Sequence, residues 1–215
     1  MTNLLGPPDQ RVVLRRVHWE TYERLLDDLA DSSSPRLTYD RGMLEIMSPL
    51  AEHERHNRAI AALVDIVADE WDFDFENLGS TTFRREEVER GFEPDSCFYL
   101  RNAERIQGKR QIDLAVDPPP DLVIEIDVTN SSLDKVSLYA AMGVPELWRY
   151  DGRSMRILVL ESGGLVLSEE SRVLPGLDAV TLSTLMEESK TLKRRTWLRR
   201  VRAWARERGG SSAPG

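Results

Sequence analysis

The seven residues Leu-Val-Ile-Glu-Ile-Asp-Val at 122–128 constrain the fold more than any other stretch of the chain. They are apolar and mostly β-branched. Pro118-Pro119-Pro120 introduces them stiffly and Asn130-Ser131-Ser132 ends them, which is the pattern of a strand at the centre of a sheet. Side chains alternate between the faces of a strand. Leu122, Ile124, Ile126 and Val128 therefore share one apolar face, and Val123, Glu125 and Asp127 share the other. This sets two carboxylates roughly 7 Å apart along a buried strand. Charge there is costly unless something compensates it. Arginine partners or solvent at the strand end are the ordinary compensation. A divalent cation is the alternative, because a hard ion such as Mg²⁺ needs only one or two carboxylates with water and phosphate.

The surrounding pattern is mixed. Apolar residues recur at helical spacing over 18–29 and again over 52–71, where Ile60, Leu63, Val64, Val67 and Trp71 fall on one side. Short strands are expected at 37–39, 43–47, 73–76, 80–84, 96–99, 147–150, 155–160 and 165–167. Residues 112–116 read as a strand or a lead-in, 86–91 as an exposed charged loop, and 101–106 as a short helix. A helix over 133–142 ends at Gly143 and Pro145, and Asp151-Gly152 suits a hairpin turn. Two helices, 181–188 and 191–208, close the chain. Hairpins around a strand–helix–strand passage at 122–150 predict an α/β or α+β layered domain. Residues 1–16 read as an N-terminal tail, 17–189 as the domain, 190–208 as a basic amphipathic helix and 209–215 as a flexible tail.

Composition narrows the function. A chain of 215 residues with 40% hydrophobic residues can bury a core unaided. Its single cysteine, Cys97, forms no internal disulfide and no thiolate zinc cluster, so a cytoplasmic setting is expected. No apolar run approaches the ~20 residues of a membrane span, and no membrane partner is expected. The formal charge of −8 discourages a general nucleic-acid binder, but it is uneven. Residues 190–208 hold nine Lys/Arg and one acid, a local +8, which leaves about −16 elsewhere. An acidic body can still meet a polyanion through metal ions and a local basic patch.

Three further features bear on chemistry. Glu93-Pro94-Asp95 sets Asp95 at the mouth of the 96–99 strand. Lys135 opens the helix that follows the central strand, from where its ammonium can swing back toward the carboxylates. Glu45, on a strand, and His53, at a helix start, are candidates to support the site from one step away. Each has a bland reading as turn, surface or cap. The order proline–aspartate, then a glutamate on an apolar strand thirty residues on, then a lysine, is that of a PD-(D/E)XK nuclease site. It departs in one respect: Asp127 stands where that motif has its lysine.

Several segments resemble the large bacterial family of restriction endonuclease-like proteins of Uma-two type, formerly a domain of unknown function. They are Gly42-Met-Leu-Glu-Ile-Met-Ser-Pro49 with His53, Glu93-Pro94-Asp95, Pro120-Asp-Leu-Val-Ile-Glu125, and Lys135 with Tyr139 and Gly143-Val-Pro-Glu-Leu-Trp148. The resemblance covers residues 19–175. It implies a restriction endonuclease-like mixed central sheet flanked by helices, and Asp95 and Glu125 as metal ligands. It also implies Lys135 as a catalytic lysine migrated to the helix, with Asp127 a further ligand or merely a neighbour. A Mg²⁺ (or Mn²⁺) cofactor, DNA as substrate and a homodimer follow from the same resemblance. Two rivals are a non-cleaving nucleic-acid-binding or regulatory protein on this fold and a glycosidase-like carboxylate pair. The second leaves Lys135 and the helix–strand signature unexplained.

Overall fold

The computed structural model describes residues 10–30, 32, 34–128 and 133–209. The expected tails outside those limits, and Asn130-Ser131-Ser132, lie outside the described residues.

The chain folds into two sheets. The first is antiparallel, built from β1 (Gln10–Arg15), β2 (Arg36–Asp40), β3 (Met43–Ser48), β5 (Phe83–Arg85) and β6 (Arg90–Phe92), in the order β1-β3-β2-β6-β5. The second is mixed, in the order β11-β10-β9-β8-β7-β4. Its strands are β4 (Glu76–Asn77), β7 (Ser96–Tyr99), β8 (Leu122–Ile126), β9 (Glu146–Tyr150), β10 (Met155–Glu161) and β11 (Gly164–Ser168). β8 runs parallel to β9 and antiparallel to β7. The parallel pair is joined through α4 (Lys135–Ala141), as the sequence pattern requires.

Three apolar clusters define the layers. Leu122, Ile124 and Ile126 of β8, with Trp148 and Tyr150 of β9, pack beneath α2 (Ala51–Glu70), α5 (Ala179–Thr191) and α6 (Arg194–Gly209). The opposite face of that sheet, carrying Val123, Cys97, Tyr99 and Leu147, meets α4 and the first sheet's Phe83 and Phe92. The far face of the first sheet is covered by α1 (Trp19–Asp28) through Trp19 and Tyr22. A short helix α3 (Ala103–Ile106) follows β7. α6 carries the basic run, and its Trp197, Val201 and Ala205 are buried in the main core. The expected amphipathic stripe is thus a packing surface. No helix among the described residues is long and apolar enough to cross a membrane.

Besides the strands expected at 73–76 and 80–84, which fall instead at Glu76–Asn77 and Phe83–Arg85, the structure differs from the sequence expectation in three local places. Gln10–Arg15, read as tail, pairs along its whole length with β3; Val12 and Leu14 stay exposed there, so the strand carries little apolar signal. Residues 112–116 form turns, whereas the charged stretch 86–91 contains a 3-10 turn and β6. β6 escaped notice because its charge is internally matched: Arg90 Nε lies 2.8 Å from Asp40 Oδ1. Gly91 is required there, since any Cβ would collide with the Tyr22 hydroxyl.

Candidate functional site

The alternation of β8 sends Val123 and Glu125 toward the first sheet and α4. Glu125 is 1% exposed and sits where three elements meet. α4 is fixed at its start by Asp134, whose carboxylate accepts the Ser137 backbone N–H at 3.2 Å. Lys135 and Tyr139, four residues apart, then share a helix face. Lys135 Nζ donates to Glu125 Oε2 at 2.6 Å, and the Tyr139 hydroxyl donates to Glu125 Oε1. Lys135 Nζ is also 3.7 Å from Glu45 Oε1, and Glu45 in turn receives Arg11 Nη1 at 3.0 Å.

Asp95 precedes β7 and is 2% exposed. Its Oδ2 accepts the backbone N–H of Ile126 at 2.7 Å, which ties it to the strand that carries Glu125. Its Oδ1 accepts from Arg36 Nη1 and stands 2.8 Å from His53 Nε2. An ionised carboxylate only accepts, so that His53 nitrogen carries the proton. α2 positions this end of the site twice. It supplies His53, and its Asn57 Nδ2 donates to the Asp95 carbonyl at 2.9 Å while Asn57 Oδ1 accepts from Ser96 Oγ at 2.8 Å.

The cluster is balanced: Asp95, Glu125 and Glu45 face Arg36, Lys135 and Arg11. Burial alone would raise the Asp95 carboxyl, but the His53 hydrogen bond and the charges of Arg36, His53 and Lys135 hold it down at about 2. Glu125 moves the other way. Burial raises it, Lys135 opposes, and the nearby Asp95 and Asp127 carboxylates add to the rise. Burial also works against the charge on Lys135, yet Glu125, Asp95 and Glu45 outweigh it and raise its pKa. The ammonium therefore keeps its proton while Glu125 holds its charge less firmly.

Asp127 lies one residue past β8, and its Oδ2 is taken by Arg149 Nε at 2.6 Å. The structure thus brings together Asp95, Glu125, Lys135, Glu45 and His53, and engages Asp127 with an arginine beside them. Among the described residues no three His, Cys, Asp or Glu side chains form a ready-made metal cage. The donor set nevertheless suits a hard cation. Each Glu125 oxygen accepts one hydrogen bond, and Asp95 Oδ2 accepts one, so lone pairs remain on three carboxylate oxygens from adjacent chain segments.

Comparison with known proteins bears on the family and the fold. The family model described as "Putative restriction endonuclease", Uma2, matches residues 19–193. The chain belongs to the Uma2 family. The crystal structure of a "putative nuclease belonging to DUF820" from Anabaena variabilis is similar with a TM-score of 0.53 at 15% identity, covering 75% of this chain and 98% of that one. That likeness concerns the fold. No curated protein matches.

Within this Uma2 frame the sequence reading missed two arginines and one role. Arg36 shares a strand face with Thr38 and Asp40, all buried, so β2 alternates apolar and polar with neither set exposed. That alternation looks like a surface strand. Arg11 lies in the stretch read as tail. Its Nε and Nη2, and Arg36 Nε, are buried without a hydrogen-bond partner among the described residues. Tyr139 was visible as a signature residue, and its i,i+4 relation to Lys135 is the signal that could have joined it to Glu125.

Proposed function

We propose that this chain is a metal-dependent endonuclease that hydrolyses phosphodiester bonds in DNA. The observation that carries the reading is the 2.6 Å contact between Lys135 on α4 and Glu125 on β8, with Asp95 tied to the next residue of the same strand. Asp95 and Glu125 would hold Mg²⁺ or Mn²⁺, which when bound supplies Lewis acidity at a phosphate oxygen and acidifies water. Lys135 stays protonated and offers its ammonium to a non-bridging phosphate oxygen as charge develops there. Tyr139 fixes the orientation of Glu125, and His53 and Arg36 fix Asp95. The partnerless N–H groups of Arg11 and Arg36 favour an anionic substrate, because a buried donor left unsatisfied costs ~1–3 kcal/mol. A homodimer and a cytoplasmic site of action belong to the same proposal; light scattering tests the first.

One observation favours the rival, a nucleic-acid-binding or regulatory protein that does not cleave. Every carboxylate of the cluster already has a cationic partner, so the site is neutral without a metal. Plasmid and oligonucleotide cleavage in Mg²⁺ or Mn²⁺ separates the two. Wild type should cut, and Glu125→Ala and Lys135→Ala should each lose cleavage while staying folded. Well-folded wild type that binds nucleic acid and cuts none would establish the rival.

A further inference from the structure

A groove of about 810 Å³ lies between the start of α2, the end of α5 and the start of α6. Four cations line it, Arg55, Arg58, Lys190 and Arg194, against two acids, Glu52 and Glu54. This is a cationic concavity on a chain whose formal charge is −8. Three of these cations are not consumed by the fold. Among the described residues neither Arg55 nor Arg194 has an ion-pair partner. Arg58 is 77% exposed and only 3.9 Å from Glu54, a contact worth little in water. Lys190 donates to the Gly152 carbonyl at 2.6 Å and to Glu187.

Glu54 links the groove to the carboxylate cluster through Arg36. Glu54, on the groove wall, accepts from Arg36 Nη2, and the other terminal nitrogen of the same guanidinium donates to Asp95. The planar Arg36 guanidinium thus has one terminal nitrogen on the cluster and the other on a half-exposed carboxylate at the groove's edge. The carboxylate held there offers Arg36 Nη2 one anionic oxygen, as a phosphate would.

Resting on the nuclease reading above, we infer that this groove is the track for the sugar-phosphate backbone of the substrate. Arg55, Arg58, Lys190 and Arg194 neutralise successive phosphates, and Glu54 holds the position on Arg36 that the phosphate entering the cluster takes over. Phosphate contacts of this kind position a strand without reading its sequence. Glu54 therefore opposes binding, while its four basic neighbours promote it.

The test is fluorescence anisotropy with a labelled 20-mer, single-stranded and duplex, in EDTA over a series of salt concentrations. Cleavage of the same DNA in Mn²⁺ is followed in parallel. Arg55→Glu with Arg194→Glu should weaken binding at least tenfold and flatten the log–log salt slope by about 1.4–1.8, the release expected for two lost phosphate contacts. The milder Arg55→Gln with Arg194→Gln should lie between it and wild type. Glu54→Gln should bind several-fold tighter. Arg24→Glu with Arg105→Glu, exposed cations on α1 and α3, reports the effect of net charge alone. Thermal melting confirms that each protein is folded. If the groove variants bind and cut like that control pair while Glu125→Ala still abolishes cleavage, the groove assignment is wrong and the nuclease reading stands. If wild type neither binds nor cuts DNA, the reading beneath it fails and the groove assignment falls with it.

Discussion

Two buried glutamates on neighbouring strands, Glu125 on β8 and Glu146 on β9, live under opposite regimes. Both are essentially inaccessible and burial raises both carboxyls. Glu146 is held by neutral, rigid donors: Trp148 Nε1 and Ser171 Oγ at 2.6 Å on one oxygen, and the backbone N–H groups of Arg172 and Val173 at 2.7 and 3.2 Å on the other. It staples the 171–173 segment to the sheet. Glu125 is held by an ammonium and a phenol at the ends of side chains on a two-turn helix. Backbone donors cannot leave without unfolding the segment, whereas side-chain cations can trade a carboxylate for another anion. The difference separates a carboxylate that stabilises from one available for chemistry.

The sharpest way to break that comparison is to neutralise each in turn. Glu125→Gln should lower cleavage by more than about 1,000-fold, on the order of 4 kcal/mol in the barrier, with a small change in melting temperature. Glu146→Gln should do the reverse. Its amide would face the two backbone N–H groups, costing roughly 2–3 kcal/mol and about 5–10 °C in a chain of this length, with cleavage by the folded fraction retained. Equal stability losses in both variants would erase the distinction.

Metal titration sharpens it further. At a hundred times its Kd, Mn²⁺ should stabilise wild type by about 2.7 kcal/mol, because it binds the folded state. The shift should vanish in Glu125→Gln and survive in Glu146→Gln from a lower baseline. A wild-type melt indifferent to Mg²⁺ and Mn²⁺ would count against the metal site.

The smallest expected effect is acid sensitivity in EDTA. The Asp95 carboxyl is held at about 2, below its ordinary 3.8, so its charged form is favoured by folding. That contribution, roughly 2 kcal/mol, is complete above pH ~4 and drains away as pH falls toward 2. Urea unfolding of wild type between pH 5 and 2 should show the loss, and Asp95→Asn should flatten it. Equal slopes would mean that Asp95 is not held by Arg36 and His53 in solution.

Much of this was legible in the sequence, and for stated reasons. β8 announced itself through apolar β-branched residues, and its alternation put Glu125 on the face where α4 packs. The short passage from β8 to α4 kept Lys135 within reach. What stayed hidden depends on pairings between distant segments. Arg36 looked like surface because its polar neighbours on β2 are polar, yet the second sheet buries that face. Arg11 sits in a strand whose Val12 and Leu14 remain exposed, so no burial pattern marks it. Two sheets, rather than one mixed sheet with flanking helices alone, follow from β6 and β1, whose charges are matched only after folding.

The cluster also has a consequence in time. Its contacts span 31 residues from Asp95 to Ile126, 42 from His53 to Asp95 and 59 from Arg36 to Asp95. Pairings this far apart in the chain close late, after local helices and hairpins have formed. Lys135 and Tyr139 emerge from the ribosome after every other member of the cluster, and the α2 layer over the sheet is completed only by α5 and α6. On the proposed nuclease reading the centre is incomplete until Lys135 and Tyr139 have been made, so a nascent chain that ends before α4 would not cut the nucleic acid around it.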